Sequence, residues 1–307
     1  MRVLVVTSMY PTPSRPDHGR FVYDQVEALR RLGQAEIEVF AFAPGSAHAY
    51  VRAAQALRRN YGGAEFDVVH AHFGLTAWPA LAVATRRRAL TLHGTDLAHP
   101  RSRAITLSVL RRYDLVAAVS AELTTRVPRW AWPGAVAVLP AGVDIGRFRP
   151  IPRAQAREAL HLDPRGPYLL FPADPMRPEK RYDRAVQIAG DASLLSLRGV
   201  DPEQVPLWIN AANAVLVPSE REGFGLAVLE ALACDVPVLA TPVGVAPEVL
   251  EGIAGTHCGP FDARVWGTAL APHLAAQDPR VEGRQRAERF SVARMAERVL
   301  EAWRGLG

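Results

Sequence analysis

The chain has 307 residues, of which 49% are hydrophobic and 22% are charged, a composition typical of a globular protein long enough for two domains. No apolar run approaches the roughly 20 residues that a membrane-spanning helix needs, and the short run after Arg2 fits a first strand better than a signal peptide. The two cysteines, Cys234 and Cys258, are too few for a disulfide framework and match no metal motif, so we expect a cytoplasmic protein with reduced thiols.

The net charge of +5 is unevenly distributed along the chain. Residues 1–150 contain 19 arginines and 11 acidic residues, whereas residues 151–307 contain 17 basic and 20 acidic residues. Either the arginines are scattered surface charges, or the first half meets an anionic acceptor or makes peripheral contact with the inner face of a membrane. No recognised nucleic-acid motif accompanies the charge, so we expect no nucleic-acid partner.

In the first half, short apolar runs that predict strands alternate with longer segments that predict helices. A helix is predicted over 19–33, because Val22, Val26 and Leu29 share one stripe and Gly33 ends it. The predicted strands are 2–8, 36–43, 67–72, 89–94, 115–120 and 136–142.

The same alternation starts again after the proline-rich stretch 146–152. Alternating strands and helices indicate parallel sheets with right-handed crossovers, here in two domains. We predict an N-terminal domain over 1–148, a C-terminal domain over 149–290, and a terminal helix over 291–307 that is able to pack back on the N-terminal domain. The predicted strands of the second half are 168–173, 193–199, 214–219 and 236–241.

The segment 217–244, VPSEREGFGLAVLEALACDVPVLATPVG, predicts a strand, a glycine-containing loop, and a helix from about residue 225 to 233. Gly223 and Gly225 let backbone N–H groups approach a ligand closely. The start of the helix adds unpaired donors and a partial positive charge. This combination is suited to binding a phosphate.

Two carboxylates flank the start of that helix, Glu222 before it and Glu230 within it. A mostly helical segment separates them by about 12 Å. The paired carboxylates of a glycosidase need about 5 to 9.5 Å. We therefore expect the two glutamates to contact different parts of one long ligand, the alternative being two surface residues at a solvated helix end.

The spacing of the two glutamates within this segment resembles the signature of glycosyltransferase family 4. Further similar stretches occur in the order the family shows: HGTDL at 93–97, VSAELTTRV at 119–127, LPAGVDIGRFRP at 139–150 and VPLWINAANAVLVPS at 205–219. The resemblance implies the α/β GT-B fold, two facing Rossmann-like doubly wound parallel-sheet domains with a cleft between them. It also implies a retaining transferase that takes a UDP- or GDP-linked sugar as co-substrate and uses a carbohydrate or lipid-linked acceptor, with no cofactor and no metal. The chain has no Asp-x-Asp motif, as expected for that class.

The resemblance also implies roles for individual residues in the second half. Glu230 would hold the ribose hydroxyls of the donor nucleotide, and Glu222 would contact the hydroxyls of the donor sugar. The loop residues that would face the sugar and the diphosphate are Gly223, Phe224, Gly225 and Leu226. The nucleotide base would lie near Gly199.

The chain contains one lysine, Lys180, among 36 basic residues. With Arg177 it lies on the loop after the predicted strand 168–173, where family members clamp the diphosphate with an arginine and a lysine. A compact ammonium fits a crowded group of phosphate oxygens better than a planar guanidinium does. Such a cation would stabilise the charge of the leaving diphosphate. The family arginine usually lies five residues before the lysine, where this chain has Pro175, so Arg177 takes that role only with a changed spacing.

In the first half, the resemblance places Gly19 on a loop near the donor phosphate or the acceptor, and His93 and Asp96 near the reacting sugar. The pair His70 and His72 resembles part of a metal site, but no third ligand accompanies it. Two other classes remain open at this point. A phosphorylase or epimerase on the same fold is one, and a non-catalytic binding protein is the other.

Overall fold

The computed structural model describes residues 1–306 and separates them into two compact units. The N-terminal unit contains Met1–Gly142 together with the segment that starts at Val292. The C-terminal unit contains Val143–Ser291.

The N-terminal unit is built on a six-stranded sheet in which every pair of neighbours is parallel, in the order β2-β1-β3-β4-β5-β6. Its strands are β1 (Arg2–Thr7), β2 (Glu36–Ala41), β3 (Phe66–His72), β4 (Thr85–Leu92), β5 (Leu115–Ala118) and β6 (Ala137–Val138). Its helices are α1 (Arg20–Leu32), α2 (Ala47–Tyr61), α3 (Ala77–Ala80), α4 (Thr95–Ala98), α5 (Pro100–Val109), α6 (Ala121–Thr124) and α14 (Val292–Arg304), with 3₁₀ turns at Gly74–Thr76 and Leu110–Arg112.

The final helix, α14, is part of the core of the N-terminal unit. Its apolar residues recur at helical spacing and are buried together with Val3, Val5 and the buried stripe of α1. Met295, Leu300 and Trp303 are among them. An amphipathic stripe of this kind obtains most of its stability from packing rather than from intrinsic helix propensity.

The C-terminal unit contains a second parallel sheet, in the order β11-β10-β9-β7-β8. Its strands are β7 (Tyr168–Phe171), β8 (Ser193–Ser196), β9 (Ala214–Val217), β10 (Val238–Ala240) and β11 (His257–Cys258). Its helices are α7 (Arg153–Ala159), α8 (Tyr182–Ala189), α9 (Val205–Ala211), α10 (Leu226–Ala233), α11 (Ala246–Leu250), α12 (Ala263–Ala275) and α13 (Arg284–Glu288), with a 3₁₀ turn at Pro178–Lys180.

Both sheets reverse their strand order beside the first strand of the unit. In the N-terminal unit, β1 lies between β2 and β3, and in the C-terminal unit β7 lies between β8 and β9. Loops that leave neighbouring strands in opposite directions open a crevice at the carboxyl ends of the strands, where ligands bind in doubly wound sheets. The loops after β1 and β3, and after β7 and β9, are therefore the places to look for a site.

The predicted strand 136–142 is shorter than expected, because β6 contains only Ala137 and Val138. Pro140 has no backbone N–H and cannot continue the ladder. Conversely, β4 begins at Thr85, four residues earlier than predicted. The apolar pattern could not show this part of the strand, because Arg86 and Arg87 lie there with exposed side chains. None of the helices in the described part of the chain is long and apolar enough to cross a membrane.

Candidate functional site

An ion pair in the C-terminal unit joins the two loops at its strand-order reversal. Lys180, on the loop after β7, places its Nζ 2.7 Å from Oε1 and 2.5 Å from Oε2 of Glu222, on the loop after β9. The two side chains are only 15% and 10% exposed. Ser219 donates its hydroxyl to the same Oε1 at 2.8 Å. The backbone N–H of Glu220 donates to the carbonyl of Glu179, so the two loops are also tied through their main chains.

This ion pair lies beside the start of α10. The N-cap residue of the helix, Gly225, has φ +94°, and an added Cβ there would lie 3.8 Å from Cγ of Glu222. The first N–H groups of α10 have no acceptor within the helix. A mostly buried ammonium and a helix N-terminus at one place make a site for an anion with several oxygens.

Gly244 holds the opposite side of this loop in place. Its φ of +62° lies in the left-handed region, and an added Cβ would collide with the carbonyl oxygen of Phe224. The same carbonyl accepts the N–H of Val245 at 2.7 Å. The ring of Phe224 is buried 6.1 Å from that of Phe290, so its side chain anchors the loop and only its backbone can face a ligand.

Arg177 does not join the Lys180–Glu222 pair. Its guanidinium donates to Glu179 at 2.7 Å and 3.0 Å, and its side chain is 52% exposed. Surface pairs of this kind contribute little to stability. The changed spacing noted in the sequence thus corresponds to an arginine on the outer side of the loop, where it is free to exchange Glu179 for a ligand.

The other predicted donor-binding residues lie on the same unit. Glu230 lies in the second turn of α10 and is partly exposed, as are Gly223 and Leu226. Gly199 lies in an exposed turn after β8, with φ +72° and open space around it.

The N-terminal unit brings a different set of side chains together at the carboxyl ends of β3 and β4, next to its strand-order reversal. His93 follows β4, and its Nε2 lies 3.1 Å from Nδ1 of His72, the last residue of β3. The ring of Phe21, from the start of α1, lies 4.9 Å from the ring of His93. His93 and Phe21 line a small concavity together with Gln25, Thr91, Val119, Leu139, Pro140, Ala141 and Met295.

The ring of His72 also packs against a second group of buried, uncharged side chains, which includes His70, Thr91 and Trp303. Trp303 of α14 donates its indole N–H to Nδ1 of His70 at 3.1 Å, so the proton of that ring is on Nε2, which donates to Thr91 at 2.8 Å. The rings of His70 and His72 are stacked 4.5 Å apart. Burial lowers the pKa of His70 and of His93 well below the usual value and lowers the pKa of His72 to about 3. All three imidazoles are therefore neutral at pH 7.

Asp96 and Gly19 have structural contacts that explain their positions. The carboxylate of Asp96 is fully buried and accepts the backbone N–H groups of Gly74, His93 and Gly94 at 2.8–3.2 Å. Burial raises its pKa, although these hydrogen bonds oppose the rise. Gly19 is the N-cap of α1 with φ +70°, and an added Cβ would collide with the carbonyl of Met9. Asp96 thus fixes the backbone at His93 and Gly94, and its place near the reacting sugar stays a prediction.

Three residues of these clusters were not identified from the sequence as site residues: Ser219, His72 and Phe21. Ser219 lies two residues after the end of β9 and directly before the signature loop, a position at which polar groups are expected in a doubly wound sheet. His72 shares its strand face with His70, but the distance to His93 depends on the pairing of β3 with β4. Residues 1–306 contain no group of three histidine, cysteine or acidic side chains arranged to hold a metal ion.

Two family models match the chain. Residues 1–147 match the model described as Glycosyltransferase Family 4, and residues 177–289 match the model described as Glycosyl transferases group 1. Among curated proteins, a D-inositol 3-phosphate glycosyltransferase of Pseudarthrobacter chlorophenolicus is 26% identical, with 85% of this chain and 73% of that protein covered. The protein of the same name from Frankia alni is 29% identical over 62% of this chain, and only 61% of its own length is spanned.

Solved structures are similar over the whole length. Sucrose-phosphate synthase from Thermosynechococcus elongatus has a TM-score of 0.75 at 19% identity, with 100% of this chain and 99% of that chain covered. The Anabaena protein HepE, in complex with UDP and glucose, has a TM-score of 0.72 at 16% identity, with coverage of 99% and 100%. At these identities the likeness concerns the fold, and it confirms the GT-B class predicted from the sequence.

Proposed function

The chain belongs to glycosyltransferase family 4, and on that premise we propose that it transfers a sugar from a nucleoside-diphosphate donor to a hydroxyl group of an acceptor. The proposal includes retention of configuration at the anomeric carbon and independence of a metal ion. The observation that carries it is the Lys180–Glu222 pair beside the start of α10.

In this proposal the diphosphate of the donor binds at the start of α10, where it meets Lys180. The ammonium of Lys180 then gives up one of its hydrogen bonds to Glu222 and contacts phosphate oxygens instead. The carboxylate oxygen that is released can accept a hydrogen bond from a hydroxyl group of the sugar. As the bond to the anomeric carbon breaks, negative charge grows on the bridging phosphate oxygen, and a fixed, mostly buried cation stabilises it. Lys180 thereby supplies the positive charge that a metal ion supplies in other transferases.

With the diphosphate at the start of α10, the other parts of the donor can be assigned to residues of the same unit. We propose that Glu230, farther along α10, accepts hydrogen bonds from the ribose hydroxyls, and that the base lies near the turn at Gly199. Arg177 is available for the outer phosphate once it leaves Glu179. HepE was solved with UDP and glucose, so UDP is the first nucleotide to test, with GDP as the second.

The acceptor belongs, in our proposal, to the N-terminal unit, at the concavity beside His93. The neutral imidazole of His93 is suited to a hydrogen bond with a hydroxyl group, and Asp96 keeps its backbone in place. The two relatives are named for D-inositol 3-phosphate, and the N-terminal half is basic. A phosphorylated polyol is therefore the first acceptor to test, followed by carbohydrate and lipid-linked acceptors.

Retention is proposed to arise on one face of the sugar. The acceptor oxygen attacks the anomeric carbon from the side on which the diphosphate departs, so one C–O bond forms where another breaks. The acceptor proton passes to the leaving phosphate oxygen. No protein nucleophile is needed on the opposite face, and the position of Glu222 beside Lys180 is consistent with a role in orienting the sugar.

The test is a thermal-shift panel of nucleoside diphosphates and their sugars, because a ligand that binds the folded state raises the melting temperature with its occupancy. We expect a rise with UDP or GDP and its sugar. Transfer assays with the stabilising donor then follow, with product configuration read by NMR and rates compared with and without a chelator. A panel without any shift contradicts the proposal, and supports a non-catalytic protein. An inverted product or a rate abolished by the chelator contradicts its finer parts.

A further inference from the structure

One face of the N-terminal unit presents large apolar side chains to solvent. Trp78 on α3 is 47% exposed, Ile105 on α5 is 45% exposed, and Trp130, on the segment after α6, is 66% exposed. We call these residues, together with Arg101, Arg111 and Arg112, the tryptophan–arginine surface. None of them lies in the concavity beside His93.

Hydrogen bonds show that the members of this surface are neighbours. The indole N–H of Trp78 donates to the backbone carbonyl of Ile105 at 3.2 Å. The guanidinium of Arg111 donates to the carbonyl of Trp130 at 3.1 Å and 2.6 Å. Along α5 and the turn that follows it, the exposed positions 101, 104, 105, 108, 111 and 112 recur at helical spacing and share one side.

The charge of this surface is of one sign. The stretch 97–113 contains four arginines and no acidic residue, and neither α3 nor the stretch 128–132 contains one. The adjoining acids are occupied elsewhere: Asp96 is fully buried, and Asp114 lies 3.6 Å from Arg87. The positive charge is therefore not neutralised by acidic residues of these segments.

We propose that the tryptophan–arginine surface docks on an anionic lipid bilayer. Tryptophan is enriched at the boundary between head groups and acyl chains because its ring is mostly apolar. The indole N–H of Trp78 already donates a hydrogen bond within the chain, so the part of its side chain that faces solvent is the apolar ring. Arginines around such a ring keep their charged ends at the lipid phosphates while their stems cover apolar surface. Ile105 has no π-face on which a base could stack, so a hydrocarbon phase fits this surface better than a nucleic acid does.

The proposal deepens the proposed function, because it gives a membrane-bound acceptor a place beside the enzyme. Its test needs no catalysis and therefore separates the two. Co-sedimentation is measured with vesicles of phosphatidylcholine, with and without phosphatidylglycerol, at low and at physiological salt. We expect binding to the anionic vesicles only, weakening as salt rises.

Variants locate the contact. Arg101→Gln with Arg112→Gln, and separately Trp130→Ser, are each expected to weaken vesicle binding about tenfold or more. The matched controls lie on α2 of the same unit: Arg58→Gln with Arg59→Gln removes the same charge, and Val51→Ser removes an equally exposed apolar residue. The controls are expected to bind as the unchanged protein does.

Several results would overturn the proposal. They are absence of binding to anionic vesicles, equal losses in the α2 controls, and an unchanged affinity of Trp130→Ser. Full displacement of the vesicles by an oligonucleotide would point to a nucleic-acid surface instead. All the substituted side chains are exposed, so unchanged melting temperatures are expected and serve as the check of folding. If the unchanged protein fails to bind anionic vesicles but still shows a thermal shift with nucleoside diphosphates, this proposal is overturned and the proposed function stands.

Discussion

The two units have sheets of similar strand order and place their candidate residues at the carboxyl ends of neighbouring strands, but the chemistry of the two places differs. At the C-terminal unit, Lys180 and Glu222 meet as a charged pair from the loops after β7 and β9. At the N-terminal unit, His72 and His93 meet after β3 and β4 as neutral rings. These strand ends thus hold charged groups in the C-terminal unit and neutral rings in the N-terminal unit.

The difference matches what each place would have to hold in our proposal. A departing diphosphate carries growing negative charge, which needs a cation. A hydroxyl acceptor is neutral and needs a hydrogen-bonding partner whose protonation does not change near pH 7. The comparison predicts that charge removal is damaging in the C-terminal unit, whereas hydrogen-bond geometry matters in the N-terminal unit.

The largest effect is expected for Lys180→Met, which removes the ammonium. Loss of one group that stabilises transition-state charge costs about 10² to 10³ in rate. We therefore expect kcat/KM to fall by that factor and the thermal shift with nucleoside diphosphates to disappear. Steady-state transfer kinetics measure the change in kcat/KM, and melting curves with and without nucleoside diphosphate measure the thermal shift.

Two companion variants show whether position and shape matter as well as charge. Lys180→Arg keeps a cation but widens it, and it should remain impaired. Arg177→Gln removes a cation three residues away that pairs with Glu179 at the surface, so its effect on activity should be smaller. A larger loss in Arg177→Gln than in Lys180→Met would reverse our assignment of the two residues.

Gly244→Ala is expected to have the next largest effect, this time on stability. The left-handed backbone costs a non-glycine residue about 1–3 kcal/mol, and the new Cβ also collides with the carbonyl of Phe224. Gly252→Ala is the matched control, because its φ of +74° is similar but nothing lies within 4 Å of the added atom. Urea unfolding should give a larger loss in unfolding free energy for Gly244→Ala, and equal losses would show that the loop yields without cost.

In the N-terminal unit, His72→Leu is expected to lower kcat about tenfold, since it leaves Nε2 of His93 without its partner. The KM for the donor should stay unchanged, because the donor binds the other unit in our proposal. His72→Asn places an amide near the former Nδ1 and should restore most of the rate. If the Leu and Asn variants behave alike, the hydrogen bond is not what His72 supplies.

The smallest effect is a dependence of stability on pH. An unfolded histidine titrates near pH 6.5, whereas burial keeps His70 and His72 neutral in the folded protein, with a pKa of about 3 for His72. Below pH 6.5 the unfolded state therefore binds more protons than the folded state, and the unfolding free energy falls as pH falls. Each ring contributes at most about 1.4 kcal/mol per pH unit.

His72→Asn again provides the comparison. Urea unfolding between about pH 7 and pH 5 should show a smaller pH slope of the unfolding free energy in the variant, with a difference that approaches one proton near pH 5. Other titrating groups are common to both proteins and cancel in the difference. Identical slopes would mean that His72 takes up its proton in the folded state over the same pH range as in the unfolded state.

The sequence predicted the order of strands and helices because alternating apolar runs and amphipathic segments follow directly from the two-layer packing of a parallel sheet. It gave no bounds for α2, it predicted no strand at the two-residue β11, and it could not show that Arg153 is buried. The guanidinium of Arg153 donates to the carbonyls of Ala212 and Gln277, and burial lowers its pKa to about 10. Such a burial depends on carbonyls that are distant in sequence, whereas composition alone assigns arginine to the surface.

For the site, Lys180 and Glu222 were identified, but not the contact between them, because 42 residues separate them and only the adjacency of β7 and β9 brings them together. The same holds for His72 and His93, which depend on the register of β3 with β4. Arg177 was identified by its distance from Lys180 along the chain. Its direction is set by Glu179, a local carboxylate that no spacing argument weighs.

The return of α14 to the N-terminal unit has a consequence for how the protein is made. About 150 residues of the other unit are synthesised before this helix appears. At a synthesis rate of about 5 to 20 residues per second, the first sheet waits roughly 8 to 30 s for the helix that covers α1 and supplies Trp303 to His70. During that interval the nascent chain carries an uncovered apolar flank on the ribosome, a natural target for chaperones that bind growing polypeptides.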